Sequence, residues 1–115
     1  MRTYQLGRGP NRPVGGVDVF RWDGYEGADA LPFSAMWYRV PAGGTSPADQ
    51  HPEVELSIVV HGDAAVEIDG NEPVDVRTGD AFLLEAGERH VVHNRRTDEP
   101  LVVFSAYWHP EADHG

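Results

Sequence analysis

The chain of 115 residues contains no cysteine. Disulfides and thiolate metal sites are excluded, and cysteine usage gives no sign of redox compartment. Basic residues are scarce: 9 Lys and Arg stand against 19 Asp and Glu, a formal net charge of -10 with histidine neutral. Such a surface repels phosphate backbones and anionic lipids, so neither nucleic acid nor a membrane is expected as partner. Long apolar runs are missing as well. The start, Met1-Arg2-Thr3-Tyr4-Gln5-Leu6, lacks the apolar stretch of a signal peptide, and no segment approaches a transmembrane helix in length. A cytoplasmic protein is the expectation. No helical period, solenoid repeat or low-complexity tract is found either, and the length suits one domain.

What the sequence has is punctuation. Thirteen Gly and nine Pro interrupt short apolar runs. The runs at 17–22, 33–40, 54–60, 64–68, 74–76, 81–84, 90–94 and 101–108 read as strands, and Asp69-Gly70-Asn71 is a hairpin signal. Strands at this spacing predict an all-β sandwich or barrel. Residues 1–16 are expected to form an irregular arm, 17–110 the single folded unit, and 111–115 a flexible tail.

Side chains alternate along an extended chain, so Asp49, His51, Glu53 and Glu55 can share one face. His90 follows much later, and only a closed or sandwiched sheet would return it to that cluster. Imidazole and carboxylate together suit Zn, Fe, Ni, Cu or Mn, and two His with one carboxylate leave open positions for water or substrate. Taken singly, each His also fits an ordinary polar residue at a strand end. Ser57 and Val59 share parity with Glu55 and should point inward, as should the pair Phe82 and Leu84. On the strand at 33–40, either Met36 and Tyr38 or Trp37 and Arg39 face the interior. At most one ring of Tyr107 and Trp108 does. His61, His93, His109 and His114 read as surface residues.

Two blocks carry a stronger signal. The first runs from Gly43 through Asp49, His51 and Glu55 to Gly62. The second runs from Gly79 through Glu85, Gly87 and His90 to Asn94. Together they resemble the paired signature of the cupin superfamily: Gly, five residues, His-x-His, three or four residues, Glu, six residues, Gly; then Gly, five residues, Pro-x-Gly, two residues, His, three residues, Asn. Eight of the ten spaced positions match. The resemblance implies a cupin-type double-stranded β-helix, or jelly-roll barrel. It also implies one divalent transition metal (Zn, Fe, Ni or Mn) bound by Asp49, His51, Glu55 and His90. Two positions depart from the pattern. Asp49 stands where the first His belongs, which would change the donor set from one carboxylate to two. If Asp49 cannot reach the metal, it would support the ligands from behind or serve as a base. Glu85 replaces the Pro and reads as a turn residue. Glu53 is a candidate proton carrier.

The resemblance implies a range of activities. The leading reading is a small stand-alone metalloenzyme acting on a small organic molecule, of dioxygenase, isomerase or cyclase type. The alternatives are a small-molecule-sensing module without catalysis, or an accessory cupin working with a separate biosynthetic enzyme. A homodimer is expected, since oligomers are usual in the family.

Overall fold

The computed structural model describes residues 1–110; the tail expected at 111–115, with His114, lies outside them. Eight strands form in order: β1 (Asp18–Arg21), β2 (Ser34–Val40), β3 (Val54–His61), β4 (Asp63–Ile68), β5 (Val74–Arg77), β6 (Ala81–Leu84), β7 (His90–Asn94) and β8 (Leu101–Trp108). They build a five-stranded sheet, β1-β2-β8-β3-β6, and a three-stranded sheet, β5-β4-β7. Every pairing between strands is antiparallel. Each run read as a strand is a strand, with no end shifted by more than one residue. The remaining elements are two short 3-10 turns, Trp22–Gly24 and Ala28–Ala30. Among the described residues no helix is long and apolar enough to cross a membrane.

The core lies between the sheets. Val19, Tyr38, Val40, Val59, Leu84, Leu101 and Val103 from the larger sheet meet Ala64, Val66 and Val92 from the smaller. Period-two alternation explains the choice of residues. Ser57 and Val59 are fully enclosed, as their parity with Glu55 requires. On β2 the inward set is Met36 and Tyr38. Trp37 lies on the other face, where Trp22 and Phe104 pack against it at centroid distances of 5.4 Å. The sequence left this choice open because both faces of β2 are apolar and both are covered.

The register sets side chains of the inward parity in cross-strand rows, whose ends at Arg21 and Ser34 are exposed. Arg21, Met36, Ser105, Ser57 and Phe82 form one row, and Ser34, Tyr107, Glu55 and Leu84 the next. A bulge between Val59 and His61 ends the ladder, and the chain turns into β4 at Gly62, whose φ of 120° disfavours any other residue. Residues 1–16 contain no strand but are anchored. Tyr4 stacks on Trp22 at 4.5 Å, and the Arg12 amide donates to the Val19 carbonyl at 2.8 Å.

Asn94 is a buried brace. Its Nδ2 donates to the carbonyls of Val40, Pro41 and Glu99, and its Oδ1 accepts from the Arg96 amide at 2.9 Å. Asn94→Ala would leave these carbonyls short of partners. A loss of about 2–3 kcal/mol is expected, the usual cost of unsatisfied buried polar groups. Urea unfolding measures it; a change within about 0.5 kcal/mol, as for surface substitutions, would show that the brace contributes nothing.

Candidate metal centre

Backbone pairing brings the two sequence blocks together. The segment before β3 runs extended beside β7, with bridges Thr45–His93 and Asp49–His90. The Asp49 amide donates to the His90 carbonyl at 3.0 Å, and the His90 amide returns a bond to Asp49 at 2.9 Å. The Gly87 amide donates to the His51 carbonyl at 2.9 Å, which ties the turn before β7 to His51. Gly87 has φ 81°, and Glu85 takes the missing Pro position in a turn closed by the Glu88 carboxylate on the Glu85 amide at 2.7 Å. The turn forms without a proline ring.

Donor atoms of Asp49, His51 and His90 lie within 4.8 Å of one another. The two imidazoles stand at a centroid distance of 5.1 Å. Glu55 adjoins them, with Oε1 3.2 Å from His51 Nε2. Its other oxygen, Oε2, accepts from the Ser57 hydroxyl at 3.2 Å and the Ser105 hydroxyl at 3.0 Å. The carboxylate is almost wholly buried, at 5% exposure, so these bonds are what make its burial tolerable. Ser57 points inward as its parity with Glu55 requires, and Ser105, whose parity with Leu101 and Val103 gives it the same face, joins it without any motif to mark it.

The imidazoles are oriented as ligands are. His51 Nδ1 lies 3.1 Å from the Glu53 carbonyl, and His90 Nδ1 lies 3.3 Å from the Glu88 carbonyl. A carbonyl only accepts, which assigns the proton of each neutral ring to Nδ1 and leaves the lone pair on Nε2. Backbone carbonyls commonly fix metal-binding histidines in this way. His51 Nε2 then faces a carboxylate oxygen with two acceptors 3.2 Å apart. Such a pair is stable with a cation, proton or metal, between them. The separation also matches two ligands held about 2.0–2.2 Å from one ion. Asp49, His51 and His90 therefore fit a divalent metal, while Glu55 stands beside His51 and outside that converging group.

Glu53 is placed differently from its neighbours. The shared face expected for Asp49, His51, Glu53 and Glu55 requires a continuous extended chain, but the chain bends at Pro52 and Glu53, and β3 begins only at Val54. The Glu53 carboxylate lies 3.8 Å from Nδ1 of His51, on the far side of the ring from Glu55. His61 pairs with Glu99, and His93 bonds Thr45, both away from the cluster.

A cavity of about 360 Å³ opens onto the cluster, lined by residues that include Asp49, Glu55, His90, Tyr38, Met36 and Arg21. The Tyr38 phenol is pushed far above its ordinary pKa, first by burial and then by the negative charge of Glu55. It stays protonated and can only donate to, or accept from, a ligand as a neutral hydroxyl. Among the described residues, the larger hollows elsewhere carry no comparable cluster of metal-ligating side chains.

A model of the cupin domain family matches residues 36–107. Among solved structures, a Cupin 2 conserved barrel domain protein from Salinispora arenicola is 27% identical, with a TM-score of 0.80 over 97% of this chain and 90% of that one. The plu4264 protein from Photorhabdus luminescens is 26% identical, with a TM-score of 0.77 over 94% and 86%. A protein described as a predicted oxalate decarboxylase, from Thermotoga maritima, has a TM-score of 0.76 over 95% and 100%; at 14% identity the likeness speaks for the fold alone.

Proposed function

Because the chain belongs to the cupin domain family, we propose that it is a small metalloenzyme acting on a small organic molecule in the cavity beside Asp49, His51 and His90. The observation that carries this reading is the convergence of these three donors, both imidazoles held by backbone carbonyls, beside a cavity that Asp49 and His90 line. Asp49, His51 and His90 would hold the ion, with Glu55 as the fourth donor behind His51. A divalent metal such as Zn, Fe, Ni or Mn supplies Lewis acidity there and, for a redox-active ion, electron transfer. The chain's own groups divide the remaining work. Ser57 and Ser105 keep the Glu55 carboxylate turned toward His51. Glu53 steadies the His51 ring through its carbonyl. Tyr38 offers a protonated hydroxyl to a bound ligand. Val19 of β1 and Met36 of β2 supply apolar wall.

The test is metal analysis of the purified, metal-reconstituted chain, followed by a turnover screen over small carbonyl, enol and carboxylic compounds. Turnover by the isolated chain supports the enzyme. Saturable binding without turnover supports the sensing module instead, and turnover only with a second protein supports the accessory role.

We also propose a homodimer built on the larger sheet. Trp22 covers Trp37 and Phe104 on its outer face, but Leu56, Ile58 and Val60 of β3 and Leu83 of edge strand β6 stay 36–53% exposed. Leu56 and Leu83 are register partners, so the stripe is continuous. An uncharged apolar stripe on a chain of net charge -10 favours a second copy, which presents the same stripe, over an acidic or polar partner. Leu56→Glu with Leu83→Glu should convert the dimer to a 12.7 kDa monomer in sedimentation velocity. A wild-type chain that stays monomeric at high concentration would end this idea.

A further inference from the structure

We propose that the cavity takes a small organic acid and that Arg21 is the residue that holds its carboxylate. The proposal rests on the metal reading for the other end of the ligand, while the Arg21 anchor can be tested apart from it. Among the residues lining the cavity, Arg21 alone carries a fixed positive charge. It lies at the end of β1, on the inward face with Val19, in the same row as Ser105 and Ser57, the hydroxyls that bond Glu55. Its Nη1 donates to the Tyr107 hydroxyl at 3.2 Å, and Tyr107 is the register partner of Glu55 on β3. The exposed guanidinium thus lines the same cavity as Asp49, Glu55 and His90, and Tyr107 leaves most of its donors unused. Arg39, Arg95 and Arg96 are each paired with an aspartate, but no carboxylate of the described residues lies within 4.0 Å of Arg21.

Charge balance gives this cation its purpose. With Asp49 and Glu55 ionised and both imidazoles neutral, the donor set cancels a divalent ion. The loaded centre then offers an anion little net attraction, and the chain as a whole, at -10, repels it. A ligand that enters as an anion needs a separate positive group, and Arg21 is the group in place. One guanidinium matches one carboxylate in bidentate geometry. A phosphate dianion would need further cations or a run of backbone amides, neither of which lines this cavity beside two carboxylates. Val17, Val19, Met36 and Pro47 supply apolar wall for the rest of the molecule. A volume of about 360 Å³ keeps that molecule small.

The experiment uses the full chain reconstituted with Mn²⁺, its occupancy measured, and titrated calorimetrically with butanoate, benzoate and 3-phenylpropanoate and with the matching primary amides. At least one acid is expected to bind about tenfold or more tightly than its amide. Arg21→Gln should weaken that acid by about 10- to 100-fold, the range of a charge-assisted hydrogen-bond pair, while leaving the amide and the Mn²⁺ content unchanged. Arg21→Lys should recover part of the loss. Equal binding of acid and amide, an Arg21→Gln protein that binds the acid as well as wild type, or no binding by any acid would each overturn the anchor. A wild-type chain that takes up none of Mn²⁺, Zn²⁺, Fe²⁺ and Ni²⁺ rejects the metal reading; an Arg21-dependent preference for acids in that same protein would keep the anchor.

Discussion

A His51→Ala/His90→Ala protein is expected to purify with metal at background level and to remain folded. The two imidazoles are two of the three donors whose atoms converge within 4.8 Å. Loss of a hydrogen bond to a ligand already costs about 10- to 100-fold in metal affinity. Loss of two ligands should therefore exceed about 100-fold. Neither side chain belongs to the apolar core, which is built from β-strand residues of both sheets, so circular dichroism should be unchanged. Chelation of the wild-type protein should lower its thermal midpoint, because an ion bound at 100 times its Kd stabilises the folded state by about 2.7 kcal/mol. The double variant should show no such response. Protons compete for the same nitrogens, so metal should also leave the wild-type protein as the pH falls. Metal content equal to wild type in the double variant, measured by elemental analysis, would remove the site.

The strands were legible because glycine, proline and Asp-Gly pairs bound each apolar run, and these local signals do not depend on tertiary context. The joining of His51 to His90 was legible from the two motifs, and backbone bonds at Asp49 and Gly87 account for it. The failures have one physical source, dependence on contacts distant in sequence. Alternation could not reveal the bend at Pro52 that sets Glu53 apart, since parity assumes an extended chain. It could not choose the inward face of β2, because Trp22 arrives from outside to bury Trp37. Arg21 reads as an unremarkable strand-end residue until β1, β2 and β8 are aligned and Tyr107 comes within reach. The arm is irregular as expected, but its anchoring by the stacking of Tyr4 on Trp22 has no local signature.

Asp49→Ala is expected to lower metal occupancy sharply at limiting metal, and Asp49→His to keep it. Asp49 stands where the family pattern has a histidine, and its backbone is pinned to His90 by two hydrogen bonds. The position of its side chain is therefore set by sheet pairing, and its carboxylate falls within the donor cluster. The Gln50 amide donates to Oδ1 at 2.9 Å, which restricts rotation and leaves Oδ2 available. A base acting on substrate would predict otherwise: metal retained in Asp49→Ala and turnover lost. Glu55 supplies the comparison. Glu55→Gln preserves the shape and the serine hydrogen bonds but removes one negative charge beside His51. As fourth donor, Glu55 should then show a loss of affinity of the same order as Asp49→Ala, because each removes one anionic ligand. Asp49→His exchanges an anion for a neutral donor and should bind metal more weakly than wild type but far better than Asp49→Ala. Full occupancy of Asp49→Ala at limiting metal would exclude ligation by Asp49 and leave His51, Glu55 and His90 as the set. Partial occupancy that Asp49→His restores would establish that a donor at this position, of either chemistry, completes the centre.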